Sequence, residues 1–256
     1  ALNVRGGVGY GGGDYTVRHG VAVFAAKDGR LYRRDLGQGQ SRPITPAFGA
    51  VAAPQLSPDG GWVVFVHTYE GKDVLAVVDA DGRYWPTKLA EGADFYMQPT
   101  WNAAGDSLAW VEWDHPNMPW DGTRLMYAAL EGDPPKIQAA QNLAGTEDVP
   151  ILQPAFSPDG HYLSYVQNQG EWDQLILQDL ETGDSTVLVE GEALLRPAWI
   201  QGVVVQAWAP EGDRITFLKS QAGLTTLNQV DVESGEVSEL DVSPYTSLSQ
   251  PSINQE

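Results

Sequence analysis

One stretch of the chain, residues 112–123, concentrates side chains that could bind a ligand or a partner. Its candidates are acids, a histidine, an amide and two tryptophans: Glu112, Trp113, Asp114, His115, Asn117, Trp120 and Asp121. Carboxylates attract amines, and clustered exposed aromatic side chains mark interaction sites. We predict that this stretch contacts a substrate or another domain. The alternative is a loop stiffened by its prolines that folds back onto its own structural unit.

Other strings with catalytic or ligand-binding spacing have structural interpretations. Residues 7–12 match the dinucleotide fingerprint G-x-G-x-x-G, which works only between a strand and a helix, but strand patterns follow at 14–17 and 21–24. Ser107 stands in a Gly-Asp-Ser-Leu string of the esterase type, yet an internal repeat places it at the start of an ordinary strand. There is no G-x-S-x-G nucleophile elbow, and the four histidines lack metal-ligand spacing. We predict no catalytic residue, no metal site and no cofactor in this chain.

The internal repeat predicts the turns and strands that position the candidate residues. Residues 54–60, 99–105 and 154–160 align without gaps, and a weaker copy occupies 208–212. Two copies read Ser-Pro-Asp-Gly, in which proline presets φ, aspartate bonds the local backbone and glycine accepts a positive φ. The apolar residues after each copy alternate with period two, which predicts a half-buried strand.

A leucine leads a further strand after each copy, at Leu31, Leu75, Leu125, Leu175 and Leu227. Another turn and a last strand complete a four-stranded unit of about 45–50 residues, which is typical of a propeller blade. We predict an all-β fold, a β-propeller with five four-stranded blades in this chain. The blades run roughly over 1–47, 48–92, 93–144, 145–190 and 191–242, and a further blade starts at 243–256. A β-sandwich with coincidental turn spacing is the alternative.

The third blade carries an insertion at the candidate residues. The connection from the second-strand aromatic to the leading leucine is ten residues from Phe65 to Leu75 but fifteen from Trp110 to Leu125. Residues 112–123 therefore contain five extra residues, and we call them the blade-three loop. Loops held by a rigid scaffold often carry binding residues.

Composition excludes several classes of function. The 256 residues include 15 basic and 34 acidic side chains, a net charge of −19, which argues against nucleic-acid binding and docking on anionic membranes. Cysteine is absent, so disulfides and thiolate chemistry are excluded. No apolar run approaches the ~20 residues that span a bilayer, and the start does not read as a signal peptide. We expect a cytoplasmic protein whose termini are truncated.

The blade-three loop also carries a family resemblance. Residues 94–101 together with 113–123 resemble the prolyl oligopeptidase family of serine peptidases, especially the bacterial acylaminoacyl-peptidase and dipeptidyl-peptidase-like branch. The start of the chain is similar to the same branch and adds Arg5 and Tyr10 as secondary candidates. It departs from the commoner form in having Gly9 where a His-Glu pair precedes Tyr-Gly-Gly-Gly.

The resemblance implies that these five blades are the middle of a seven- or eight-bladed, TolB-like propeller. About one blade would precede the chain, and at least one blade and an α/β-hydrolase domain with a Ser-Asp-His triad, absent here, would follow it. The chain would then be a non-catalytic, substrate-gating region of a peptidase that cleaves short peptides. Its partners would be the hydrolase domain of the same polypeptide and the peptide substrate.

Two other functions stay open from the residues alone. A stand-alone TolB-like propeller could act as a protein-binding scaffold. A propeller glycosidase would need paired carboxylates on the innermost strands, but those strands carry Gln55, Thr100, Ala155 and Ala207 beside their aromatic residues.

Overall fold

The structure is a computed structural model that describes residues 2–37, 39–194 and 198–253; the ends of the predicted range, residues 1 and 256, lie outside the described residues. Among the described residues, twenty strands form five four-stranded antiparallel sheets, and within each sheet the strands neighbour one another in chain order. These sheets are the blades of a propeller, so the predicted all-β fold is confirmed. Within the described ranges, no helix is long and apolar enough to cross a bilayer.

Each blade contains four strands, numbered from the innermost to the outermost. Blade one has β1 (Tyr15–Arg18), β2 (Val21–Ala25), β3 (Leu31–Asp35) and β4 (Arg42–Pro43). Blade two has β5 (Ala50–Leu56), β6 (Trp62–Tyr69), β7 (Lys72–Asp79) and β8 (Thr87–Ala90). Blade three has β9 (Phe95–Trp101), β10 (Ser107–Trp113), β11 (Arg124–Glu131) and β12 (Lys136–Ala144). Blade four has β13 (Ile151–Phe156), β14 (Tyr162–Asn168), β15 (Asp173–Asp179) and β16 (Ser185–Glu192), and blade five has β17 (Gln206–Trp208), β18 (Arg214–Gln221), β19 (Leu224–Asp231) and β20 (Val237–Leu240).

The predicted turns form through local side-chain hydrogen bonds. In the turn before β6, the Ser57 hydroxyl donates to Asp59 Oδ1 at 2.5 Å, and the same oxygen accepts the Gly61 N–H at 3.0 Å. The equivalent turn before β14 repeats the serine-to-aspartate bond between Ser157 and Asp159. The pKa of Asp59 is lowered by its hydrogen bonds from Ser57 and Gly61. These hydrogen bonds join residues at most five positions apart, so the turn can form wherever the Ser-Pro-Asp-Gly sequence occurs.

The hydrophobic core lies between neighbouring blades. One buried cluster joins blades one and two, a second joins two and three, a third joins three and four, and a fourth joins four and five. The leading leucines Leu31, Leu75, Leu125 and Leu175 are each fully buried. In blades one to four, the leucine that begins the third strand is therefore the residue that the next blade covers.

Polar side chains two residues before the leading leucine also join consecutive blades. Thr123 Oγ1 accepts the Ile151 N–H at 2.7 Å, and Asp173 Oδ2 accepts the Leu194 N–H at 2.8 Å. Both side chains are buried, at 1% and 6% exposure. Each side chain accepts a hydrogen bond from a backbone N–H that would otherwise be buried at the blade junction without a partner.

Antiparallel pairing gives the propeller two distinct faces. Connections between the second and third strands of a blade emerge at the same end as the links that lead into the next first strand. We call this end the upper face; it includes the blade-three loop. The repeat turns, such as 57–60, lie on the lower face. Residues 241–253 contain no assigned strand, and the further blade expected there stays a prediction.

Candidate functional site

The blade-three loop is the longest connection between a second and a third strand in the described part of the chain. Residues 114–123 separate β10 from β11, whereas 70–71 suffice in blade two and 222–223 in blade five. The loop lies on the upper face, and its contacts decide which of its side chains are free to bind.

The two tryptophans of the loop lie in different environments. Trp113 is the last residue of β10, is 7% exposed, and stacks on Phe95 with ring centroids 5.1 Å apart. The expectation that Trp113 projects toward a partner is therefore wrong, because strand pairing with Phe95 carries it into the core. Trp120 lies beyond the strand and packs on Trp199 of the link between blades four and five, with ring centroids 4.5 Å apart.

Hydrogen bonds between carboxylates, one guanidinium and backbone N–H groups hold the start of the loop in place. Arg124 donates to Asp114 at 2.8 Å and to Glu112 at 3.3 Å, and Asp114 Oδ1 accepts the Asp94 N–H at 2.9 Å. In return, Asp94 Oδ2 accepts the His115 N–H at 3.0 Å. Burial of the Asp114 carboxyl opposes its ionisation, but hydrogen bonds from Arg124 and Asp94 outweigh burial and lower its pKa.

The second half of the loop packs on the link that follows β12. Asn117 Nδ2 donates to the Glu147 carbonyl at 2.6 Å, and Met118 N–H donates to Asp121 Oδ2 at 2.8 Å. Gly122 is pressed so closely on this link that an added Cβ would lie 2.0 Å from the Glu147 carbonyl oxygen. A cavity of about 90 Å³ remains between the two segments, too small for a peptide side chain and its main chain together.

Tyr10 joins the tryptophan pair and extends it. Its ring meets Trp199 edge-on, with centroids 6.3 Å apart. Tyr10 is 75% and Trp199 56% exposed, so most of both rings faces solvent. We call Tyr10, Trp120 and Trp199 the aromatic cluster. It combines two sequence candidates with one residue that sequence reasoning missed; the only signal for Trp199 was a tryptophan outside the repeat.

The glycine-rich start of the chain positions Tyr10 and Trp199 beside each other. Gly12 forms a parallel bridge with Gln201, and the Gln201 N–H donates to the Gly11 carbonyl at 2.9 Å. A Cβ on Gly12 would lie 2.3 Å from the Gln201 carbonyl oxygen, so only glycine permits this approach. The dinucleotide-like string at residues 7–12 therefore serves close backbone packing, with strands after it as predicted.

The remaining candidates are separate from the cluster or face solvent beside it. Arg5 is exposed next to blade one, where its N–H donates to the Ala25 carbonyl at 3.0 Å. His115 is exposed and meets Phe95 edge-on, with ring centroids 4.7 Å apart. Asp121 of the loop and Glu147 of the link after β12 are exposed carboxylates. The arrangement can therefore hold an apolar group against the rings and a cationic group near the acids.

Ser107 has no nucleophilic arrangement in the described residues. It is 7% exposed at the start of β10, donates to Asp106 Oδ1 at 3.2 Å and accepts from the Tyr127 hydroxyl at 3.2 Å. Nucleophilic catalysis by serine requires an adjacent base such as histidine. Among the described residues, no group of three or more histidine or acidic side chains could hold a metal ion.

The chain is similar to peptidases that hydrolyse puromycin. It aligns with a puromycin-hydrolyzing peptidase of Mycobacterium tuberculosis at 28% identity and a TM-score of 0.83, over 95% of this chain and 40% of that chain. It aligns with a puromycin hydrolase at 29% identity and a TM-score of 0.86, over 99% of this chain and 42% of that chain. This chain thus spans about two fifths of the length of these structures.

Two further comparisons concern the propeller. The structure of a prolyl endopeptidase aligns at 19% identity and a TM-score of 0.61, over 88% of this chain and 35% of that chain, which supports the fold alone. The family model for the lipoprotein LpqB β-propeller domain matches residues 133–249, less than half of the chain. The resemblance to propellers of prolyl oligopeptidase-family peptidases, first drawn from the blade-three loop, is confirmed.

Proposed function

We propose that this chain is the substrate-gating propeller region of a prolyl oligopeptidase-like serine peptidase that cleaves short peptides. The chain itself supplies no catalytic residue. Its partners are an α/β-hydrolase domain of the same polypeptide and the peptide substrate. Acyl transfer from the peptide to a serine, and the hydrolysis that follows, would be carried out by residues outside this chain.

The aromatic cluster is the observation that carries this proposal. Tyr10, Trp120 and Trp199 come from three distant parts of the sequence; Tyr10 and Trp199 leave their rings exposed on the upper face, and the half-buried Trp120 packs against Trp199. Clustered exposed rings are unusual on a protein that has no partner, and each ring could bury ~150–250 Å² against one. The fixed base of the loop lowers the ordering entropy that docking would require.

Charge on the same face suits a peptide with a free amine. Asp114 and Glu112 are already paired with Arg124, but Asp121 and Glu147 are exposed and have no cationic partner among the described residues. Carboxylates beside an apolar surface raise the local concentration of a cationic substrate. The similarity to puromycin-hydrolysing peptidases, at 28–29% identity over nearly all of this chain, supports the same class of reaction.

Replacement of Trp120 by alanine tests the proposal in the longer polypeptide. We expect Trp120→Ala to lower kcat/KM for short peptides at least tenfold, with the melting temperature of the 256-residue chain nearly unchanged. Tyr84→Ala is the matched control, because Tyr84 is 65% exposed in a connection of the lower face. Equal kcat/KM for the two variants would refute a role of the cluster in turnover.

The coding sequence that follows residue 256 provides a second test. A G-x-S-x-G motif within about two hundred residues would support the peptidase, since that motif holds the nucleophile in α/β-hydrolases. A stop codon there would instead favour the stand-alone, protein-binding propeller.

A further inference from the structure

Blade one has an unusually short outer strand. The outermost strand of blade one has two residues, Arg42–Pro43, whereas the outer strands of the other blades have four to nine. The inner parts of blades one and two pack together through a shared buried cluster. The outer strands β3 and β4 reach blade two through Arg33 and Arg42, which donate to Asp81 at 3.1 and 2.6 Å. The link after β4 also borders blade two, at Thr45, Pro46 and Phe48.

A cavity of about 300 Å³ lies between this link and blade two. Val51, Phe65 and Ala76, all at most 4% exposed, form its floor with the half-buried Val74. Phe48 and Trp85, 50% and 77% exposed, form two of its walls. We call this cavity the flank pocket. Its size and apolar lining match sites that enclose a small organic group.

One wall of the flank pocket is held in place before any ligand arrives. The Phe48 ring stacks on Tyr69 and on His67, with centroid distances of 4.1 and 5.7 Å. His67 Nε2 is 2.7 Å from the Phe48 carbonyl oxygen, which fixes the backbone of the same residue. A wall fixed in this way loses little conformational entropy on binding.

A groove of about 470 Å³ continues from the pocket along the upper face. Phe48, His67, Val74 and Lys88 line both spaces, so the two adjoin each other. Asp94 also lines the groove, and it is the residue that bonds to Asp114 and His115 of the blade-three loop. It therefore leads from the apolar flank pocket to the loop of the candidate site.

The groove is polar where the pocket is apolar. Lys72, Asp73 and Glu91 line it together with Lys88, and Lys88 pairs with Glu91 at 2.6 Å. Charges of both signs can accept and donate hydrogen bonds along a peptide main chain, whose N–H and C=O groups alternate. In the pocket, the polar side chains are limited to His67, Lys88 and two threonines, Thr45 and Thr87.

We propose that the flank pocket binds an aromatic or branched aliphatic side chain of a peptide whose main chain lies in the groove. It would act as a remote specificity site on the propeller, separate from the aromatic cluster. The identification of the ligand as a peptide rests on the proposed function, whereas the preference for an apolar side chain rests on the lining alone.

A pair of neutral probes tests the pocket on the 256-residue chain. N-acetyl-phenylalanine amide and N-acetyl-glycine amide share a main chain and differ in the side chain, and ligand-observed NMR titration gives both dissociation constants. We expect the phenylalanine probe to bind at least tenfold more tightly, which corresponds to about 1.4 kcal/mol. Equal affinity for the two probes would overturn the proposal. Toluene binding as tightly as the phenylalanine probe would refute a peptide ligand.

A substitution that fills the flank pocket should abolish the preference for the phenylalanine probe over the glycine probe. Val74→Phe places a ring on the floor, while Val187→Phe makes the same change at a 46% exposed position on β16. The tenfold preference should vanish in the first variant and persist in the second; persistence in both would overturn the proposal. If Val74→Phe does not fold, Trp85→Ala removes an exposed wall instead and should weaken the phenylalanine probe several-fold.

Trp120→Ala separates this proposal from the proposed function. It alters the aromatic cluster but no residue of the flank pocket, so the phenylalanine probe should bind it with unchanged affinity. Loss of probe binding in this variant would place the binding site at the aromatic cluster and reject the flank pocket. Retained binding together with unaltered peptide turnover would reject the gating function and leave the pocket supported.

Discussion

Replacement of Thr123 by valine should destabilise the propeller at the junction that holds the blade-three loop. The Thr123 hydroxyl accepts the Ile151 N–H at 2.7 Å and donates to the Ile151 carbonyl at 3.1 Å, and both residues are 1% exposed. Valine keeps the approximate shape of threonine but cannot make either bond. The perturbation is therefore confined to one buried hydroxyl group between blades three and four.

The magnitude follows from the groups left without a partner. Each lost hydrogen bond accounts for about 0.5–1.5 kcal/mol, and a buried N–H left unpaired costs about 1–3 kcal/mol. We expect Thr123→Val to lower the free energy of unfolding by about 2–4 kcal/mol. For a chain of this size, a loss of about 3 kcal/mol lowers the melting temperature by roughly 6–12 °C.

Urea unfolding followed by tryptophan fluorescence, together with thermal scans, measures this effect. Thr146→Val is the control, because Thr146 is exposed in the adjacent link and its hydroxyl only accepts the Asp148 N–H at 3.2 Å. The control should change the unfolding free energy by less than about 0.5 kcal/mol. If both variants lose the same small amount, the Thr123 bonds do not join the blades as argued.

Further expectations concern the loop and Ser107. Gly122→Ala should destabilise the chain or displace residues 146–148, because its Cβ would meet the Glu147 carbonyl, while Gly37→Ala, with open space around it, should be neutral in the same unfolding assay. The pKa of Asp114 is lowered in the folded state, so its stabilising contribution is complete above the unfolded pKa of about 3.9 and is lost as pH falls through the folded value. The stability gap between wild type and Asp114→Asn should thus stay constant at neutral pH and narrow below about pH 4; a gap that narrows between pH 7 and 5 would contradict this assignment. A fluorophosphonate probe should leave Ser107 unlabelled, since the side chain is buried and its hydroxyl contacts Asp106 and Tyr127 but no histidine among the described residues; mass-spectrometric detection of an adduct there would overturn this conclusion.

Local sequence patterns are sufficient to predict the repeat and the fold class. Ser57, Asp59 and their counterparts in blade four make hydrogen bonds to residues within five positions, so these turns follow from local sequence. The alternating apolar residues after each turn face neighbouring blades in the same way in every copy. Local turn chemistry and period-two patterning act independently of distant residues, which is why both are readable from a single chain.

The length of the blade-three loop was also predictable, but the fate of its side chains was not. Trp113 and Trp120 are the same residue type in one loop, yet the first is buried on Phe95 and the second packs on Trp199. The pairing of β9 with β10 decides the first contact, and the arrangement of blades three to five decides the second. The flank pocket likewise depends on how the link after β4 packs on blade two. These features arise from contacts between residues far apart in sequence, whose positions only the packed blades define.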